Sequence, residues 1–141
     1  MTAAVLVLIV EDESVFAQAH AQYVERTAGF EVAAVVRTVQ EAMRALRADD
    51  TIALVLLDMN LPDAHGLAVL QQLRASGRGC DVIAVTAARD VEVVRQAVTQ
   101  GVFAYLLKPF TYASFRAKLQ HYGEYRGTLE ETPGCGAGRR R

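Results

Sequence analysis

The sequence predicts a doubly wound α/β domain, and three observations carry that expectation. Five short apolar runs recur along the 141 residues, and none alternates polar with apolar as a half-exposed strand would. A segment of helical period follows each run. Glycines and capping residues fall where those helices would begin or end.

The first run is Val5–Val10 (VLVLIV), and the helix after it carries the stripe Phe16, Ala19 and Tyr23, which Gly29 can close as a left-handed C-cap. Val32–Val36 (VAAVV) is the second run. The helix behind it has the clearest period, Val39, Ala42, Met43 and Leu46 at i, i+3, i+4 and i+7. It opens with Thr38 and Glu41, a capping box in which each side chain satisfies an orphan N–H. Ile52–Leu57 (IALVLL) comes third, followed by a helix marked by Leu67, Leu70 and Leu73. Val82–Val85 (VIAV) is fourth; Val91, Val94 and Val98 mark its helix, with Asp90 as N-cap and Gly101 as the end. Val102–Leu107 (VFAYLL) is fifth, and Tyr112, Phe115, Leu119 and Tyr122 mark the last helix. Parallel neighbours need right-handed crossovers, so helices cover both faces of the sheet. The flavodoxin-like strand order 2-1-3-4-5 is the common solution at this size. It places ligands beyond the C-terminal strand ends, at the switch between the first and third strands.

Composition bounds the function. Fifteen Lys and Arg against sixteen Asp and Glu give no field of one sign to recommend nucleic acid or an anionic membrane as partner. The start, MTAAVLVLIVEDE, lacks the basic region of a secretory signal, and no run approaches the ~20 apolar residues of a membrane span. Cys80 and Cys135 make no disulfide framework, and Cys80 reads as a small thiol beside a strand in a reducing cytosol.

The strand ends are where the sequence turns chemical. The first strand delivers Glu11 and Asp12, the third Asp58, the fourth Thr86, and the fifth Lys108 followed by Pro109. One strand ending in a polar residue is ordinary; four doing so at the ligand edge, with these residue types, is not. Carboxylates about 4 Å apart repel by on the order of 4 kcal/mol per pair at an effective dielectric of about 20. A hard divalent cation relieves that repulsion. Mg²⁺ takes oxygen ligands, commonly one or two carboxylates beside waters and phosphate oxygens. Lys108 and Thr86 can then hold further phosphoryl oxygens, which leaves Asp58 as the phosphoryl acceptor.

The stretches IVEDE, LLDMNLPDAHGL, VTA and YLLKPF resemble, in order and separation, the motifs of the two-component response-regulator receiver domain, a CheY-like fold, over Val5 to about Tyr122. Within it, VTAARDVEVVRQA and YLLKPFTYASFRAKLQHYGEYR are similar to the branch serving citrate and four-carbon dicarboxylate sensing. The resemblance implies that Asp58 is phosphorylated by a sensor histidine kinase, with Mg²⁺ as cofactor, in the cytoplasm. It implies Asp12 and Asp58 as direct metal ligands, Asn60 as a ligand through its backbone carbonyl, and Glu11 as an acid acting through metal-bound water. Lys108, Thr86 and the backbone N–H of Ala87 would bind the phosphoryl group. Thr86 and Tyr105 would read it out, the ring turning inward as the hydroxyl moves. A cis Lys108–Pro109 peptide is implied, as is a homodimer as one outcome of phosphorylation. Glu11 departs from the commoner Asp, keeping the charge on a longer arm. PDAHG departs from the usual Met-Asp-Gly ending, with Gly66 still supplying the flexible position.

Three other features are weaker. His65 lies close to Asp58 in sequence, but Mg²⁺ prefers oxygen and an exposed loop histidine is the better reading. His20 and His121 read as surface or half-buried. From Gly123 the chain loses periodicity and reads as a disordered linker, giving a receiver over 1–122 and a tail over 123–141. Relatives of that branch carry a C-terminal DNA-binding domain, for which this chain has no room. The favoured expectation is a receiver cut from a transcription regulator. A stand-alone receiver signalling by protein contact is the alternative, and a small-molecule aspartyl-phosphate hydrolase is the reading from another class.

Overall fold

The computed structural model describes residues 4–63, 66–76, 79–90, 92, 95 and 101–131. Five strands form one parallel sheet: β1 (Val5–Val10), β2 (Phe30–Val36), β3 (Ile52–Asp58), β4 (Asp81–Ala87) and β5 (Ala104–Lys108). Their order is β2-β1-β3-β4-β5, as the sequence predicts. Helices α1 (Ser14–Arg26), α2 (Val39–Ala48), α3 (Gly66–Ala75) and α4 (Tyr112–Glu131) pack on it. The helix expected from Val91, Val94 and Val98 falls outside the described residues, as do His65 and Cys135. Among the described residues no helix is long and apolar enough to cross a membrane.

The two-residue period of the strands sorts the core into two layers. Val7 and Ile9 of β1, Leu54 and Leu56 of β3, Ile83 and Leu106 meet Val24 of α1 and Phe115, Leu119 and Tyr122 of α4. The alternate residues Leu8, Val10, Val55, Leu57, Val82 and Ala84 meet Val39, Ala42 and Leu46 of α2 and Val69, Leu70 and Leu73 of α3. Each fully buried Val or Leu contributes about 1.5–3 kcal/mol relative to exposure. The three central strands are therefore apolar without alternation because both of their faces are covered.

Five expectations need correction. The buried face of α1 is Ala17, His20 and Val24, one residue round from the stripe read in the sequence, with Phe16, Ala19 and Tyr23 at its flanks. His20, expected at or near the surface, is buried. It stacks on Phe110 at 4.8 Å, and burial, aided by the Lys108 ammonium, lowers its pKa to about 4, so it packs as a neutral aromatic. The capping box is only half formed: the Glu41 N–H donates to Thr38 Oγ1 at 3.1 Å. Glu41 Oε1 accepts instead from the backbone N–H of Arg37 at 2.8 Å, one residue before the cap.

The fifth strand alternates after all. Leu106 is buried, whereas Tyr105 and Leu107 are 43% and 39% exposed on this edge strand. Both outward residues are apolar letters, which hid the alternation. Last, α4 continues beyond Tyr122, through Gly123, to Glu131. Tyr125 supplies the reason: its ring packs 5.1 Å from Phe103 and 6.1 Å from Tyr122, prolonging the aromatic stripe past the expected boundary.

Candidate functional site

Strand register aligns the polar ends. Val10 pairs with Leu57, Asp58 with Val85, Thr86 with Leu107 and Ala87 with Lys108. Parity then selects a face. Glu11 continues Val7 and Ile9, Asp58 continues Leu54 and Leu56, and Lys108 continues Leu106, so all three follow the α1–α4 layer. Thr86 continues Val82 and Ala84 and so follows the other layer.

Glu11, Asp12 and Asp58 each offer a carboxylate oxygen, and those oxygens all lie within 4.8 Å of one another. Glu11 and Asp58 are buried, 1% and 4% exposed. Short local bonds hold them. The Asn60 N–H donates to Asp58 Oδ1 at 3.0 Å, and the Glu13 N–H donates to Glu11 Oε2 at 3.2 Å. The Glu11 N–H donates to the Val36 carbonyl at 2.9 Å, extending the β1–β2 ladder. Lys108 Nζ lies 3.0 Å from Glu11 Oε1, 3.6 Å from Asp58 Oδ2 and 3.7 Å from Glu13 Oε1. It also sits 4.4 Å from the centre of the Phe16 ring, a cation–π contact. The Lys108–Pro109 peptide is cis.

One ammonium does not balance these acids. Burial pushes the Glu11 carboxyl up to about 7, Lys108 opposes that rise, and the Asp58 carboxylate beside it adds to it. Burial pulls Lys108 down, but its bond to Glu11 and the charges of Asp58, Glu11 and Glu13 outweigh it and hold its pKa above the ordinary lysine value. The ammonium is therefore fixed, and the carboxylates keep an unmet demand for positive charge. The donors are all oxygen, which suits a hard divalent cation. A cavity of about 220 Å³ opens above Asp58, lined by Glu13, Phe16, Asn60, Ala87 and Lys108 among others.

Most of the residues expected from sequence thus meet here: Glu11, Asp12, Asp58, Asn60, Ala87 and Lys108. Thr86 is buried nearby, but its hydroxyl donates to the Ala87 carbonyl at 3.4 Å rather than to Asp58. Tyr105 is on the outer face of β5, with Lys118 Nζ 5.9 Å from its ring centre. Sequence reading missed Glu13 and Phe16, although a third acid in EDE and an aromatic one turn later were visible signals. It also missed Arg37, whose Nη2 donates to the Asp12 carbonyl at 2.9 Å, and nothing local in the sequence marks that contact.

An acidic cluster at the switch point, a lysine from the fifth strand and a central aspartate also describe a family. Residues 7–120 match the family model of the response regulator receiver domain. The chain belongs to that family. It is 35% identical over 125 residues to the probable C4-dicarboxylate response regulator DctR of Priestia megaterium, covering 89% of this chain and 54% of DctR. To the transcriptional regulatory protein DpiA of Escherichia coli K12 it is 36% identical over 130 residues, covering 92% of this chain and 57% of DpiA. The chain spans about half the length of these curated relatives. Among solved structures it is similar to a response regulator receiver domain from Methylobacillus flagellatus, with a TM-score of 0.74 and 30% identity, covering 84% of this chain and 98% of that one. Relatives and fold together identify a response regulator receiver domain similar to part of a C4-dicarboxylate response regulator and of a transcriptional regulatory protein.

Proposed function

We propose that Asp58 is the phosphoacceptor of this receiver and takes its phosphoryl group from a sensor histidine kinase. A carboxylate oxygen of Asp58 forms the new P–O bond while the P–N bond of the donor phosphohistidine breaks, and the imidazole leaves with the electron pair. The observation that carries this reading is the buried Asp58 carboxylate, 3.6 Å from the Lys108 ammonium and in reach of two more acids. Mg²⁺, when bound, would supply the positive charge that three carboxylates lack and that a transferring phosphoryl group demands. Asp12, Asp58 and the Asn60 carbonyl are its proposed ligands, with Glu11 acting through water. The Asn60 N–H orients Asp58, and Phe16 and the acids hold Lys108 over the cleft, where it can meet phosphoryl oxygen. The backbone N–H of Ala87 and the Thr86 hydroxyl complete the set.

The domain is a switch that accepts one phosphoryl group per chain, not a hydrolase that turns over. In the full-length protein we assign its output to a C-terminal DNA-binding region that regulates transcription in the cytoplasm, with a homodimer as the phosphorylated form. The names of DctR and DpiA and their extra length support that assignment. Thr86 and Tyr105 carry the readout. The test is phosphorylation by acetyl phosphate or kinase with millimolar Mg²⁺, followed by intact mass and released phosphate. One phosphoryl group per chain, absent in Asp58→Asn and much reduced in Asp12→Asn, is expected. Many phosphates released per chain would instead establish a hydrolase.

A further inference from the structure

Asp12 and Asn60 sit on two different loops, one after β1 and one after β3, and the ladder that joins those strands ends at Val10 and Leu57, short of both residues. Both are tied to a third segment, the turn between β2 and α2. On one side Arg37 Nη2 donates to the backbone carbonyl of Asp12 at 2.9 Å, beside the Glu11 N–H to Val36 carbonyl bond. On the other side Asp63, three residues past Asn60, accepts two N–H groups from the first turn of α2. The Val39 N–H reaches Asp63 Oδ1 at 3.0 Å and the Gln40 N–H reaches Oδ2 at 3.4 Å. The turn is itself stiffened by Thr38, which caps the Glu41 N–H, and by Glu41, which takes the Arg37 N–H.

We infer that the β2–α2 turn is a bracket that sets the separation of the two acidic loops, with Arg37 and Asp63 as positioning residues for Asp12 and Asn60. This rests on the proposed Mg²⁺ site. Neither residue belongs to the acidic cluster, and both are exposed, so neither holds the core together. Their partners explain their placement. Arg37 uses a guanidinium to fix a main-chain carbonyl beside a cluster of acids, and Asp63 satisfies orphan amides of a helix whose own cap covers only one. A metal site whose ligands come from separate loops is only as well formed as the spacing of those loops, and residues that orient ligands without touching the metal typically change affinity tenfold or more.

Arg37 gives the deciding test because its two possible effects have opposite signs. As a mere charge near the acids it repels Mg²⁺, so removing it would tighten binding. As a strap it holds Asp12 in place, so removing it loosens binding. Titration of Mg²⁺ into the purified chain, followed by amide NMR shifts, is expected to show Arg37→Ala binding roughly tenfold more weakly than wild type. Asp63→Ala should behave alike, and Arg37→Lys, which keeps a donor and the charge, should recover part of the loss. In metal-free protein, the Asn60 amide of Asp63→Ala and the Glu13 amide of Arg37→Ala should exchange hydrogen faster than in wild type. Their melting should stay cooperative. Equal or tighter Mg²⁺ binding by Arg37→Ala would overturn the bracket. A wild-type chain that shows no Mg²⁺ shifts at all would instead overturn the metal site, whereas the exchange measurement tests the straps without it.

Discussion

The two ends of the sheet both bury ionisable groups, and they do so in opposite ways. At the N-terminal edge, the Tyr122 hydroxyl donates to Asp81 Oδ2 at 2.6 Å and reaches the Ala53 carbonyl at 3.4 Å. Burial, reinforced by the Asp81 charge, raises the Tyr122 pKa well above the ordinary phenol value, so the hydroxyl stays a donor. Hydroxyl and carboxylate satisfy each other there. At the C-terminal edge, Glu11, Asp12 and Asp58 crowd together, and Lys108 is the cation that Glu11 and Asp58 share. The first arrangement is finished by folding; the second leaves carboxylate charge unbalanced, which the proposed cation and phosphoryl transfer would use. Buried polarity alone does not mark function, but buried polarity left unbalanced does.

The largest test of that contrast is pH. Glu11 has a folded pKa of about 7 against an ordinary 4.5, because burial and Asp58 favour its protonated form. A raised carboxyl contributes stability that is complete below pH 4.5 and is lost as pH rises through about 7. In metal-free buffer this residue should therefore cost the fold on the order of 3 kcal/mol between those limits. Glu11→Gln, neutral throughout, should flatten the slope. Denaturant melts from pH 4.5 to 8 measure it, and a wild-type slope that survives Glu11→Gln would place the strain elsewhere.

A smaller effect compares aspartates. Asp81→Ala takes a charged acceptor from a buried hydroxyl and should destabilise the protein by about 1.5–3 kcal/mol. Asp58→Asn relieves repulsion and should leave the metal-free protein as stable as wild type or more so, since Lys108 keeps its 3.0 Å bond to Glu11. Urea midpoints of the two variants should move in opposite directions, or only Asp81→Ala should move. If Asp58→Asn lost as much as Asp81→Ala, the acidic edge would be structural like the other.

Sequence reading served these two ends unequally. Glu11, Asp12, Asp58 and Lys108 were legible because each is the polar residue on which an apolar strand stops, and strand order brings those stops together. The Tyr122–Asp81 pair was not, because one member reads as core and the other as the charged start of a strand, and only tertiary packing introduces them. His20 was misplaced for the same reason: its partner Phe110 lies beyond the fifth strand, far along the chain. The run of α4 past Gly123 was hidden by a glycine that reads as a break. What periodicity and strand ends encode could be read, and what distant partners decide could not.

The smallest effect separates receiving a phosphoryl group from reporting it. Thr86 follows the opposite layer from Asp58, and its hydroxyl rests on the Ala87 carbonyl at 3.4 Å, a long bond that is cheap to exchange. Tyr105, on the neighbouring strand and two residues before Leu107, the partner of Thr86, is 43% exposed and free to change its burial. A hydroxyl drawn toward a phosphoryl group would leave space behind it that the ring can enter. Thr86→Ala removes one neutral hydrogen bond, on the order of 1 kcal/mol, and leaves Asp58, Lys108 and the acids in place. The variant should still accept phosphoryl, yet about 1 kcal/mol shifts a balanced two-state equilibrium roughly fivefold. Amide NMR on Mg²⁺ and beryllofluoride-treated proteins, with beryllofluoride standing in for the phosphoryl group, should show reduced shifts around Tyr105 in Thr86→Ala. Equal shifts in the two proteins would remove Thr86 from the readout while leaving Asp58 as acceptor, because the acidic edge and the outer face of β5 would then be coupled by some other route.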